Sequence, residues 1–327
     1  MGDVIHALPV VSDIVSARPD VEIDWVVEEA FADLPRLHPS VGEIVPVAVR
    51  RWRRSLGRVS TWSEIRAVRA RLRARRYDLA LDLQGLAKSA LVARWTGAPI
   101  AGFSRACARE PIAALAYSQR FDVDLNAHAI ERLRALASQA LGYRAEGLPR
   151  FGLQAPALAL GWRPAGPYVV FLHATSRAEK QWPARDWIEL GRRFAQRRIA
   201  VLLPWGSAAE EAAATQLAGA IGAAAVVAPR LTLGQCARML DDAVAVVGVD
   251  TGLTHLAAAL DVPTVALFAA TPAWRFGPYW SPRARSLGAD GVWPGVGAVE
   301  QAVGEVATLI VPTVGEASAR IAAAGSP

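Results

Sequence analysis

The chain has 327 residues, 53% hydrophobic, 20% charged and 7% aromatic, with a formal net charge of +6. That length suits two domains with packed cores and excludes a disordered or low-complexity protein. No apolar run is long enough for a membrane span, no basic segment with a long apolar core opens the chain, and the Met-Gly start lacks the Ser or Thr of a myristoylation signal (position 6 is His6). Cys107 and Cys236 stand alone, which fits a reducing compartment and neither a disulfide framework nor a metal site.

Val4–Ala17 has helical spacing, with Val4, Leu8, Val11 and Val15 on one side and Asp3 at its start. An α/β unit ordinarily opens with a strand, and none precedes this helix. Val21–Val27 and Glu43–Val47 are predicted strands. Between Arg50 and Arg76 lie eleven arginines and one acid, Glu64. Such a run suits nucleic acid, anionic lipid or a phosphorylated substrate, and is equally a solvated helix face. Thr61–Arg75 is a predicted helix with Trp62, Ile65, Val68 and Leu72 as its apolar stripe. A buried strand, Asp78–Leu83, leads to a Gln84-Gly85 turn and a helix over Leu86–Trp95. Ile100–Tyr117 is less regular. Ala127–Leu141 is a helix, and the Gly-, Pro- and Ala-rich stretch from Gly142 to Pro167 is the expected linker.

Beyond it the alternation resumes. Strands are expected at Tyr168–Leu172, Ile199–Leu203, Ala225–Val227, Ala243–Val249 and Thr264–Phe268. Helices are expected at Asp186–Gln196, Ala208–Ala220, Thr232–Leu240, from about Gly252 to Leu260, and Ala298–Ile310. Strand–helix alternation in both halves predicts an α/β protein of two doubly wound, mainly parallel sheets. The division is drawn at residues 1–150 and 151–327, with the final helix available to pack back on the first domain.

Polar clusters follow the strands: Gln84, Thr175-Ser176, Gly206-Ser207 and Asp250-Thr251. Ligands of doubly wound sheets bind at the carboxyl ends of strands. Asp250-Thr251-Gly252-Leu253-Thr254-His255 passes from a buried strand into a helix, the geometry that aims backbone N–H groups at an anion. Read alone, it is equally a capped helix with a core histidine. Thr175, Ser176 and Lys180 add hydroxyls and a cation, which together favour a diphosphate site. Glu210 is either a cap or an acceptor for ribose hydroxyls. There is no GxGxxG after a strand and no Walker A pattern, against the usual dinucleotide and P-loop folds.

The texts MGDVIHALP, DWVVEEAFADLP, EIVPVAVRRWRR, LDLQGLAKSAL, HAIERLRAL, FLHATSRAEKQWP, LPWGSAAEE and VGVDTGLTHLAAAL together resemble the lipopolysaccharide heptosyltransferases of glycosyltransferase family 9. The resemblance runs from residue 1 to about residue 270. It implies a GT-B fold, two Rossmann-like domains facing a cleft. An N-terminal domain would bind Kdo2-lipid A as acceptor and a C-terminal one ADP-heptose as donor. It implies Asp3 as catalytic base and Lys180 beside the donor phosphates. Thr175, Ser176, Glu210, Asp250, Thr251, Gly252 and His255 would hold the donor. Arg51, Arg54, His128 and Arg132 would face the anionic acceptor. No metal and no cofactor are expected, and the reaction is expected to invert. The arginine run would attach the enzyme to the anionic cytoplasmic face of the inner membrane. Family chains carry a first strand before Met-Gly-Asp, so that strand is expected to be missing from this chain. Two other classes stay open: a nucleotide-sugar epimerase of similar architecture, and a nucleic-acid-binding protein. Against the second, aromatics for base stacking are sparse in the arginine run.

Overall fold

The computed structural model describes residues 1–175 and 177–307. They form two compact units. One comprises residues 1–160, 231–239 and 272–280, and the other the remainder.

The first unit opens with α1 (Gly2–Ala17), β1 (Ile23–Glu28), α2 (Asp33–Arg36), β2 (Val41–Val47), α3 (Val49–Trp52) and α4 (Val59–Ala74). It continues with β3 (Ala80–Asp82), α5 (Ala87–Ala93), β4 (Ile100–Phe103), β5 (Gln119–Phe121) and α6 (Ala129–Leu141). All strand pairs are parallel, in two sheets ordered β1-β2 and β3-β4-β5. The irregular stretch after α5 thus contains β4, and β5 follows it. Both are too short for a period-2 pattern to show. In α4 the inward face is Thr61, Ile65, Val68 and Leu72. Trp62 was expected in that stripe. It lies a third of a turn away and is half exposed, because one helical step moves a side chain about 100°.

Helices α1 and α6 cover both sheets. Val10, Ile14 and Ala137 are buried between Ile23 of β1 and Leu81 of β3. Across this seam Arg134 donates from Nε and Nη2 to Asp13, at 2.7 and 3.1 Å. Its Nη1 donates to Glu131 and to the carbonyl of Gly147. At the end of β3, Asp82 accepts from the N–H groups of Gln84 and Gly85, from Ser89 Oγ and from Tyr117 Oη at 2.6 Å. The loop after β3 is therefore built around one buried carboxylate. Tyr117 reaches it across Gly102, where a Cβ would lie 2.4 Å from the ring.

The second part of the chain gives β6 (Tyr168–Leu172), α7 (Ala184–Gln196), β7 (Ala200–Leu203), α8 (Ala208–Ile221), β8 (Ala225–Val227) and α9 (Leu233–Asp241). Then come β9 (Ala245–Val249), α10 (Gly252–Ala259), β10 (Thr264–Leu267), α11 (Ala273–Phe276), β11 (Ala284–Leu287) and α12 (Val296–Ala307). The second unit's sheet is wholly parallel, ordered β11-β10-β9-β6-β7-β8. It is the doubly wound order, with the direction of winding reversing between β6 and β9. Strands β6 and β9 are apolar along their whole length and fully buried, as parallel strands covered on both faces must be. Helix α12 packs Val299, Val303 and Val306 into the second unit's own core. β11, an edge strand of four residues, is not among the strands expected from the sequence.

The two units invite a comparison of order. In the second, β6 lies between β7 and β9. In the first, the corresponding neighbours are β1 and β3, and among the described residues β1 pairs with β2 alone and β3 with β4 alone. The first unit's sheet is divided where the second has its central strand.

Candidate active site

The ends of β6 and β9 flank the winding reversal of the second unit, and the expected donor residues gather there. Asp250 follows β9 directly. Its Oδ2 accepts from Lys180 Nζ at 2.5 Å and from Thr271 Oγ1 at 2.6 Å, and its Oδ1 accepts from His255 Nε2 at 3.1 Å. The Lys180 and Asp250 side chains are 15% and 10% exposed. Burial opposes ionisation of Asp250, but hydrogen bonds from His255, Lys180 and Thr271 outweigh it and hold the carboxyl well below its ordinary range.

Thr251 is the N-cap of α10 and its own side chain makes no capping bond, so the cap residue leaves the first-turn N–H groups to other partners. Thr254 donates from Oγ1 to the carbonyl of Val249 at 2.6 Å, drawing that turn onto the strand. The approach needs Gly248, where a Cβ would lie 2.2 Å from Thr254 Oγ1 and 2.9 Å from Leu172 Cβ. Strand, cap and helix thus present a positive helix end beside Lys180 and Gly252, an arrangement suited to a diphosphate.

After β6, His173 is buried, and burial lowers its pKa against the opposing influence of Glu210. Thr175 is half-buried, its Oγ1 accepting from the N–H of Arg177 at 3.5 Å. Ser176 lies outside the described residues. Glu210 reaches back to the N–H of Gly206 at 2.7 Å, while Ser207 Oγ accepts from the N–H of Glu210 at 3.4 Å. This reciprocal cap occupies one carboxylate oxygen.

The expected base and acceptor residues belong to the first unit. Asp3 sits in the first turn of α1, exposed, its Oδ2 accepting from Arg109 Nη1 at 2.8 Å. Arg132 on α6 is half-buried above the Phe103 ring, with its guanidinium 6.0 Å from the centroid. Burial, then Arg275 and Arg109, lower its pKa. Among the described residues no carboxylate forms an ion pair with it, so three guanidinium groups share one neighbourhood with Asp3 at its edge. Arg109 and Arg275 were not expected there.

Other expected acceptor residues are placed differently. Arg51 is clamped by Glu29 and Glu64, at 3.1 and 2.9 Å. Arg54 is exposed in the turn after α3. His128 is the buried N-cap of α6. Its Nδ1 accepts from the N–H of Ile130 and its Nε2 donates to the carbonyl of Gly277, both at 3.1 Å. Backbone groups occupy both nitrogens, so the ring's bonds are spent on a helix start and on the segment carrying Tyr279, 4.6 Å away.

Known proteins bear on this arrangement. The sequence pattern of glycosyltransferase family 9 (heptosyltransferase) matches residues 65–295. Lipopolysaccharide heptosyltransferase 1 of Pseudomonas aeruginosa is 48% identical over 273 residues, which are 83% of this chain and 76% of that protein. The solved structure of Escherichia coli heptosyltransferase WaaC with ADP superposes with a TM-score of 0.85 at 37% identity, covering 94% of this chain and 97% of that one. The same enzyme with ADP-2-deoxy-2-fluoro heptose gives 0.80 at 38%, covering 93% and 96%. The α/β architecture is that of the GT-B heptosyltransferases. By sequence pattern, by identity over most of its length and by structure, the chain belongs to glycosyltransferase family 9, the heptosyltransferases.

Proposed function

We propose that this chain transfers L-glycero-D-manno-heptose from ADP-heptose to a Kdo residue of Kdo2-lipid A, with inversion and without a metal ion, in building the lipopolysaccharide inner core. The names of its relatives and the ADP-bound structures it superposes on support the donor and the product class. The observation that carries the reading is the Asp250-centred cluster at the winding reversal, beside a helix start that its N-cap residue Thr251 does not cap with its side chain.

In this reading the second unit holds the donor. The diphosphate sits on the first turn of α10 at Thr251 and Gly252, with Thr175, Ser176 and Lys180 around it, and Asp250 and His255 toward the sugar. Glu210 accepts from a ribose hydroxyl with the oxygen its cap leaves available. The first unit takes the acceptor. Arg109, Arg132 and Arg275 meet its carboxylates and phosphates, and Arg51 and Arg54 add to the field. His128 contributes by holding the 272–280 segment that carries Arg275.

Asp3 takes the proton from the attacking Kdo hydroxyl as the C–O bond forms. The bond from the anomeric carbon to ADP breaks on the opposite face, and the charge growing on the diphosphate falls beside the Lys180 ammonium and the helix end, which need no reorganisation to receive it. The acceptor is a lipid, so the enzyme works at the anionic cytoplasmic face of the inner membrane.

The test is ADP release from ADP-heptose with and without Kdo2-lipid A, in the presence and absence of EDTA. Release that needs the acceptor and ignores EDTA is expected. Asp3→Asn should lower kcat by roughly 10²–10⁴ while leaving ADP affinity unchanged. Acceptor-independent turnover, or an Asp3→Asn enzyme of near full rate, contradicts the proposal.

A further inference from the structure

Helix α4 carries its charge unevenly. One flank is neutralised: Glu64 accepts from Arg51 and from Trp52 Nε1 at 2.8 Å, and Arg71 pairs with Glu43. The other flank is not. Val59, Trp62, Arg66, Arg69 and Arg73 recur at alternating spacings of three and four residues, so they form one continuous stripe along the helix. Among the described residues no carboxylate lies within ion-pair distance of Arg66, Arg69 or Arg73, nor of Arg53 or Arg58 before them. The acids of this region are engaged by Arg51, Arg71 and Arg75.

At its N-terminal end the stripe turns apolar. Val59 is 80% exposed, Trp62 50%, and Leu56 in the preceding turn 51%. Trp62 Nε1 donates to the carbonyl of Leu56 at 2.8 Å, which ties the indole to that turn. Three large apolar side chains are therefore exposed close together, with the indole tied to the preceding turn, beside cations that no acid among the described residues pairs with.

We infer that α4 and the turn before it seat on an anionic lipid bilayer, with Arg66, Arg69 and Arg73 among the headgroup phosphates and Leu56, Val59 and Trp62 at the acyl boundary. A basic flank next to an apolar one is the pattern of an interfacial helix, and with its N–H already bonded to Leu56 the indole presents apolar surface beside the cations. A dissolved polyanion would take up the arginines but leave Leu56 and Val59 in water, so the apolar end selects the bilayer. The inference rests on the proposed lipid acceptor for its purpose, and its binding step is measured without turnover.

The test is co-sedimentation of the full chain with vesicles of phosphatidylglycerol and phosphatidylethanolamine, against phosphatidylcholine alone, at about 0.1 M salt. Binding to the anionic vesicles only is expected. The triple variant R66S/R69S/R73S should bind them about a hundredfold more weakly, at roughly fivefold per arginine. Val59→Ser with Trp62→Ser should weaken binding by roughly tenfold or more and leave the remainder more salt-sensitive. Both variants should keep the wild-type melting temperature and their ADP release with a detergent-free, deacylated acceptor, while losing rate on vesicle-embedded acceptor. Equal binding to both vesicle types, wild-type binding by the triple variant, or tighter binding to an oligonucleotide than to anionic vesicles overturns the inference. If vesicle binding follows the stripe but no acceptor supports ADP release, the docking surface stands and the proposed reaction falls.

Discussion

Asp250 sets the positions of three neighbours at once. Its two oxygens receive an ammonium, a hydroxyl and an imidazole N–H, so each donor is held by a charge rather than by packing alone. Asp250→Asn removes that charge and leaves the Lys180 ammonium largely buried without a counter-ion, a change expected to cost about 3 kcal/mol of stability. It should also lower kcat/KM by roughly 10²–10³, the scale for loss of a preorganised electrostatic group. Thr271→Val deletes one hydrogen bond to a charged acceptor, worth about 1.5–3 kcal/mol, so a tenfold or larger loss of ADP affinity is expected by calorimetric titration. Unchanged affinity in the valine variant would show that the hydroxyl does not organise the site. Asp250 and His255 could be read from the sequence because they share one strand-to-helix turn, and Lys180 because it follows a strand of the same unit. Thr271 could not. It reaches Asp250 from the loop after β10, and nothing local in its sequence signals a partner. Arg109 and Arg275 were invisible for the same reason: one meets Asp3 across 106 residues, and the other matters through its field on Arg132.

At the level of elements, long buried strands and amphipathic helices declared themselves, and so did the three-residue edge strand β8, while the edge strands β5 and β11 did not. β6 and β9 are unbroken apolar runs. β5 and β11 have three and four residues, and most of their side chains face solvent, so no burial pattern marks them in the sequence. The junction of β9 and α10 depends on a close approach that the sequence marks only by Gly248. Gly248→Ala should destabilise the protein by about 1–3 kcal/mol, because Thr254 and Leu172 must both yield. The expected readings are a lower melting temperature and weaker ADP binding. Adding Thr254→Ala removes the nearest clash and should restore part of both; a double variant no better than the single one would place the strain elsewhere.

For the molecule as a whole, acid sensitivity follows from two imidazoles whose pKa burial lowers, one in each unit. His38 accepts from the N–H of Ser40 and bonds Ser12 Oγ at 2.9 Å, and burial lowers its pKa below the ordinary 6.5. His173 is lowered likewise by burial. With the folded value depressed, the unfolded chain binds the proton more tightly. The stability these rings contribute is therefore complete above about pH 6.5 and is lost as pH falls below it, at up to about 1.4 kcal/mol per pH unit for each ring. Urea midpoints should fall between about pH 7.5 and 5.5, and His38→Gln should shallow the slope. A flat wild-type profile would contradict this. The division of the first sheet gives the Arg134–Asp13 pair a mechanical meaning beyond its electrostatics. Among the described residues no backbone ladder joins β1 to β3, so a load placed on one half of that unit reaches the other through packed helices, α1 and α6 among them. The buried guanidinium that spans those helices is the rivet of the joint, and it sits where shear between the two half-sheets would first be felt.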